Sequence, residues 1–547
     1  MTTWRRAVIA GFVLLLIFVY WIAICAPGVG IYHDDGIYVV TAKALAEGKG
    51  YRIISLPDEL VQTKYPILFP SLLAVVWKIF PKFPQNAVPL KMVPLLGTLL
   101  WVWLTAKFIR EKENNTDLSN GIVLTTLASP WVVFFSVVIL SETIFASLIT
   151  AALIYLTRLE ENTLKKESHL ILASSFLAAA AFLTRTAGLP LLFVGIIVLL
   201  FRRRIRTSVL FSLLFAICVS PWILWQTIHQ GSYGSVTSYY TSANYQQWNI
   251  LFHYPLSTKI EILGKNLVIM MFAPTILLSL DFRWFGTLHA ASFVTILGTS
   301  FSLFGFFRDF RTGIKSIHIF LVLYHAMLLV WVWPPIRFMV PIFPFWLFYA
   351  YKGFASVCAS FSLSERSMRI ANNGLAILVW VCLGGALYLS SSRIIYTGQA
   401  SPLISNIQTN ENYNWAGVRF LLDWISENTP RDSVILGNLD PVIYLYTGRK
   451  AVRGFVADPY LLCYADQSDK PLGSENDLLE VLITQKVDYI IRIPDVYFRE
   501  VPIFNGILDR ISQKDEEILT VIKEGPHPGY EIYRANRQRL MWHSHLP

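Results

Sequence analysis

A polytopic α-helical membrane protein with a C-terminal soluble α/β domain is the fold class this sequence predicts, and three observations carry it. Of its 547 residues, 54% are hydrophobic and only 15% charged, against roughly a quarter charged in an average soluble domain, so most of the chain must be solvated by lipid. About eleven apolar stretches of spanning or near-spanning length alternate with short basic connections. From about residue 410 the charges spread evenly and helix and strand signals alternate, which divides the chain into a membrane part, 1–392, and a tail, 393–547.

Residues 7–26 are almost wholly apolar and follow Arg5 and Arg6, which sets the N-terminus in the cytoplasm. No small-residue cleavage site follows, so this helix is read as a retained anchor. Further spans are expected near 87–107, 119–140, 143–157, 170–184, 187–201, 207–226, 285–307, 316–333, 337–352 and 373–391. Residues 262–280 are also apolar, but a crossing there would put Arg308, Arg311 and Lys315 outside. They are read as re-entrant or interfacial.

The net charge of +10 would suit nucleic acid in a soluble protein, but topology explains it better here. Lys107, Arg110 and Lys112 form one cluster between apolar segments; Arg158, Lys165 and Lys166, then Arg202, Arg203, Arg204 and Arg206, then Arg308, Arg311 and Lys315, form three more. All four read as cytoplasmic. An odd number of crossings then leaves 27–86, the turns at Ser141-Glu142, Thr184-Arg185 and Trp333 to Arg337, the segment 227–283 and the tail on the outer face.

Within the tail, Trp415, Val418, Leu421, Leu422 and Ile425 recur at helical spacing up to Thr429-Pro430. Ser433 to Leu436 and Val487 to Ile493 are strand-like. Thr520-Val521-Ile522 and Tyr530 to Tyr533 flank Gly525-Pro526-His527-Pro528-Gly529 as a hairpin. Five cysteines are scattered, and nothing in the sequence argues for pairing Cys25 with Cys463. All are read as free thiols. No zinc-ligand spacing, P-loop or dinucleotide fingerprint is present, which leaves nucleotide-driven chemistry unsupported.

The densest chemistry lies in Tyr32-His33-Asp34-Asp35-Gly36, an acid pair just beyond the first span. Ile37, Val40, Thr41, Ala44 and Leu45 then mark a short helix closed by Gly48 and Gly50 and expected to lie along the membrane. Asp34 or Asp35 at its start is equally an N-cap or a working carboxylate. Lys64 precedes the proline-bounded segment Tyr65 to Pro70, where it either snorkels or meets a phosphate. Glu142 sits in a tight turn between two spans, an expensive place for an idle acid. Arg185 occupies the next such turn, and Arg337 follows Trp333-Pro334-Pro335-Ile336, a stiff outer end where a permanent cation can neutralise a leaving phosphate. Ser232 to Tyr254, rich in Tyr, Ser, Gln and Asn, suits ordering over a ligand.

Taken in order, the acid pair, Lys64-Tyr65-Pro66, Ser141-Glu142, Leu183-Thr184-Arg185 and Arg337-Phe338 before Pro341 resemble the GT-C membrane glycosyltransferases, most closely protein O-mannosyltransferases and lipid A aminoarabinose transferases. Asp432-Ser433-Val434 and Tyr446-Thr447-Gly448-Arg449 resemble tail motifs of bacterial members. The resemblance implies an integral protein of the bacterial inner membrane with about 11 to 13 spans. It implies inverting transfer of a sugar from a polyprenyl-phosphate donor to a hydroxyl on a glycan, lipid or protein acceptor at the outer face. Asp34 is then the candidate base, with Asp35 and Glu142 as further candidate catalytic acids and Lys64, Arg185 and Arg337 as phosphate ligands. No cofactor is required, although the paired acids leave a divalent cation open. Membrane lipid is a partner and nucleic acid is not. The competing class is a transporter or flippase of a lipid-linked or anionic substrate, which accounts for the helices but not for the tail.

Overall fold

The computed structural model describes the chain apart from residues 1–2, 162–166, 230–239, 242–249, 279–287, 362–364, 405–413, 455–458, 466–472, 495–499 and 544–547. Among the described residues six helices are long and apolar enough to cross a bilayer: Ala7–Cys25, Ala87–Glu113, Glu142–Glu161, Ile205–His229, Leu256–Leu277 and Asn373–Thr397. The expected span 119–140 is two helices, Thr116–Ala128 and Pro130–Val137, bent by 67°. Its cause is local. Pro130 cannot donate an amide to the preceding turn, so it opens a new helix, which Ser129 caps by accepting the Val132 N–H.

Counting that pair as one span gives seven. The expected spans 170–184, 187–201 and 316–333 fall on shorter apolar helices, Ser168–Thr184, Thr186–Phe201 and Ser316–Leu329. The stretch 262–280 lies mostly in one continuous helix, Leu256–Leu277, rather than a broken re-entrant one. Asn266 within it donates to the Leu328, Leu329 and Trp331 carbonyls, and its last carbonyl accepts the Ser129 hydroxyl.

The Glu142–Glu161 helix defines the two ends of the bundle. At its far end Glu160 meets Arg202 at 2.9 Å and the Ser316 amide at 3.1 Å, while Arg158 reaches Glu111 at 2.5 Å. Asp309 draws Lys315 and Lys352 to 3.0 Å each and His318 to 2.9 Å. The basic connections therefore gather at the end away from Glu142.

At the near end, the helix Asp34–Ala46 ends before Gly48 and Gly50, both at positive φ as that stop requires. Neighbouring elements cover most of this helix. Ile37, Tyr38, Val39 and Val40 are all buried, because the helix is covered by Leu68–Ile79 on one side and by the tail on the other.

Among the described residues the tail carries a five-stranded mixed sheet of order β2-β1-β3-β5-β4, with β1 Val434–Leu436, β2 Lys450–Val452, β3 Tyr489–Arg492, β4 Leu519–Glu524 and β5 Glu531–Ala535. The strands β1, β2 and β3 run parallel, and β4 and β5 form the expected hairpin. Trp415, Val418, Leu421 and Ile425 of the helix Trp415–Asn428 pack with Ile435 and Tyr530 in one core. Phe504, Ile507 and Leu508 join the core that runs on into the membrane part. Hydrogen bonds to the 54–55 main chain tie the tail down: the Ala451 amide donates to the Ser55 carbonyl at 2.9 Å and the Lys450 side-chain Nζ to that of Ile54 at 2.7 Å. All five cysteines are free.

Candidate active site

Asp34 is the first residue of its helix, yet neither carboxylate oxygen caps a backbone amide. Oδ1 accepts the Tyr65 hydroxyl at 2.5 Å, and Oδ2 meets Arg337 Nη1 at 3.0 Å. Tyr65 is aimed by the Gln62 side chain, whose Oε1 accepts the Lys64 and Tyr65 amides, and by Tyr51, which donates to the Tyr65 carbonyl. Trp225 and Gln226 in turn hold the Gln62 and Thr63 carbonyls.

Arg337 forks between two acids. Its Nε donates to Glu142 Oε1 at 2.8 Å and its Nη2 lies 2.5 Å from the same oxygen. Arg185 Nη1 reaches that oxygen at 2.7 Å and the Ser141 hydroxyl at 3.1 Å, and its guanidinium stacks 4.9 Å over Phe338. Ser141 also meets the Tyr38 hydroxyl at 3.2 Å. The Arg337 turn is fixed from behind, since Tyr324 donates to the Phe338 carbonyl and Asn266 ties the end of the preceding helix. Two arginines thus share a glutamate that is only 1% exposed, and one of them extends to Asp34.

Lys64 completes the group by charge. Burial holds its ammonium down to about 8, with Asp34 opposing that shift. Burial alone would raise the Asp34 carboxyl, but Arg337, Lys64 and the Tyr65 hydroxyl hold it well below the usual carboxylate range. Asp34 is therefore ionised and heavily engaged. About a quarter of its side chain and 30% of that of Arg337 remain exposed, so solvent and ligand reach both.

Asp35 is apart from this group. Its carboxylate turns back to accept the Gly30 and Tyr32 amides at 2.7 and 2.9 Å, and it is 2% exposed. Burial pushes it up to about 7 against the pull of those amides. The capping duty considered for either acid is close to what Asp35 does, except that the amides belong to the preceding loop.

No family model and no curated protein matches the chain. Solved structures do. ArnT from Cupriavidus metallidurans in the apo state aligns over 98% of this chain and 99% of its own at 11% identity, with a TM-score of 0.56. The same protein bound to undecaprenyl phosphate aligns over 96% and 98% at 12% identity and a TM-score of 0.55. The archaeal oligosaccharyltransferase AglB from Archaeoglobus fulgidus, in complex with an inhibitory peptide and a dolichol-phosphate, covers 89% of this chain and 69% of its own at 12% identity and a TM-score of 0.48. The chain has the GT-C fold.

Within this GT-C fold, Asp34, Lys64, Glu142, Arg185 and Arg337 come together at one end of the bundle and Asp35 stays behind them. Among the described residues no three His, Cys, Asp or Glu side chains group as metal ligands. Ser232 to Tyr254 lies mostly outside the described residues. Sequence reasoning passed over Tyr65, although it sits inside Lys64-Tyr65-Pro66. It also passed over Asp440, Arg453 and Glu500 in the tail. Asp440 accepts Tyr240 at 2.9 Å and lies 3.4 Å from His33, while Arg453 reaches Glu500 at 2.9 Å. No local signal marks Asp440, whose partners His33 and Tyr240 lie hundreds of positions away, nor pairs Arg453 with Glu500 across 47 positions.

Proposed function

We propose that the protein is an inverting membrane glycosyltransferase that moves a sugar from a polyprenyl-phosphate donor to an acceptor hydroxyl at the outer membrane face. One observation carries this: a partly exposed, ionised carboxylate, Asp34, shares Arg337 with Glu142 and faces Lys64. A base beside two cations suits a reaction whose leaving group is already a stable anion and needs no protonating acid. The GT-C fold, shared with a protein that binds undecaprenyl phosphate, supports the donor class. The gathering of basic connections at the opposite end of the bundle supports an outward-facing site in the inner membrane. The membrane part, 1–392, then carries the chemistry and the tail, 393–547, stands outside.

In this mechanism Asp34 takes the proton of the acceptor hydroxyl while that oxygen attacks the anomeric carbon from the face opposite the phosphate. The bond from carbon to phosphate oxygen breaks, its electron pair stays on the phosphate, and Lys64 and Arg337 meet the growing charge. Asp34 is a poor base while Arg337 and Lys64 both face it. Donor phosphate competing for the same two cations relieves that suppression, so the base becomes competent when the donor is in place. Arg185 keeps Glu142 compensated while Arg337 shifts toward phosphate.

The test is transfer by the purified, full-length protein from a labelled polyprenyl-phosphate sugar to a mixture of envelope glycan, lipid and protein acceptors. Donor-dependent labelling of an acceptor is expected. Translocation of the lipid-linked sugar across vesicles without transfer would overturn the reading in favour of a flippase.

A further inference from the structure

We infer that Asp440, on the soluble tail, is a positioning residue for Asp34, because it clamps His33 in a strained turn that decides where Asp34 points. The inference rests on the reading of Asp34 as base. His33 has φ 64° and ψ −61°, and the Asp34 amide donates across it to the Tyr32 carbonyl at 2.8 Å. That is a γ-turn with positive φ at its centre, the rare and strained one of the two γ-turn types. A residue with a Cβ persists there only when its surroundings over-determine it.

The tail supplies that constraint. His33 Nε2 lies 3.4 Å from Asp440 Oδ1, His33 is 5% exposed, and Asp440 is fully buried. Asp440 is itself held by the Tyr240 hydroxyl at 2.9 Å on its other oxygen and by Arg453, whose Nε is 3.8 Å away. The next tail residue, Pro441, lies against the first turn of the Asp34 helix so closely that a Cβ on Gly36 would fall 2.5 Å from the Pro441 Cβ. From the other side, Asp35 pins the Gly30 and Tyr32 amides. The turn is gripped from both sides, and Asp34 is the residue that emerges from it.

This role differs from simply docking the tail. Lys450, Ala451 and the shared core hold the tail without Asp440. Asp440→Asn keeps the size and the oxygen for Tyr240 but removes the charge facing His33, so the tail should stay docked while the turn loosens.

The experiment measures kcat and donor KM for the full-length protein with a labelled polyprenyl-phosphate sugar. It compares Asp440→Asn, His33→Gly, His33→Ala, the Asp440→Asn/His33→Gly double variant, and Asp34→Asn. Misplacing the base should cut kcat of Asp440→Asn by about tenfold to a hundredfold and leave donor KM within about threefold. Glycine takes positive φ without the Cβ penalty, so His33→Gly should keep more kcat than His33→Ala, and adding Asp440→Asn to it should cost nothing further. Wild-type kcat in Asp440→Asn, multiplying losses in the double variant, or a glycine variant no better than alanine would each overturn the inference. The glycine and alanine comparison leaves Asp440 unaltered, so a glycine variant no better than alanine overturns the inference even if Asp440→Asn folds poorly. Normal turnover in Asp34→Asn would sink the underlying base assignment instead; its loss beside an unaffected Asp440→Asn would sink only this step.

Discussion

Replacing Asp34 by Asn separates a base from a structural acid because the two roles move donor binding in opposite directions. The carboxylate meets Arg337 at 3.0 Å and the Tyr65 hydroxyl at 2.5 Å, so it competes with any phosphate for the same guanidinium. A hydrogen bond to a charged group is worth about 1.5–3 kcal/mol. With 24% of the Asp34 side chain and 30% of the Arg337 side chain exposed, solvent screening takes it to the bottom of that range or just below, about 1–1.5 kcal/mol. Removing the charge should therefore tighten donor binding by about five- to tenfold. The same change removes the proton acceptor and should lower kcat by about two to four orders of magnitude. Purified wild type and variant would be compared for equilibrium binding and for turnover of a labelled polyprenyl-phosphate sugar, with thermal unfolding as a control. Near-normal turnover would refute the reasoning. So would weaker donor binding in a variant that unfolds earlier, since that is what a purely structural carboxylate predicts.

Arg337→Lys should lower kcat/KM by about tenfold or more, because one ammonium cannot span Asp34 and Glu142 as the guanidinium does; unchanged kcat/KM would show that only charge matters there. Lys64 titrates at about 8, so it is cationic below that pH and neutral above it. Donor affinity should be full on the acid side and fall by up to about tenfold per pH unit above, the slope for one linked proton, while Lys64→Ala should bind weakly with no such slope. Asp35→Asn should keep kcat within about threefold but melt earlier, since an amide group facing the Gly30 and Tyr32 amides costs about 1–3 kcal/mol; loss of turnover without loss of stability would move the base to Asp35. Chelation by EDTA should leave transfer unchanged, as Asp34 and Glu142 are both engaged by Arg337; a loss restored by a divalent ion would contradict this.

Much of the molecule was legible in the sequence because the signals are local. Hydrophobic length and basic flanks marked most of the apolar helices, and the periodicity of Trp415 to Ile425 marked a tail helix that forms as read. Glu142, Arg185 and Arg337 were conspicuous because ionisable residues at the ends of apolar helices are costly. Ser129-Pro130 carried the information for the bend in 119–140, since a capping serine before proline opens a helix, but length alone concealed it. The helix Asp34–Ala46 formed where its spacing placed it, but nothing local states that the tail will pack against it.

The sequence by itself determined which residues are charged, which stretches seek lipid and where helices start, since these follow from side chains a few positions apart. Only the tertiary structure decided between the two neighbouring acids, turning Asp35 to the backbone behind it and Asp34 to Arg337, 303 positions away. It also brought Asp440 against His33. Such pairings depend on how whole helices and the tail pack against one another, and no period of two or three and a half residues encodes that.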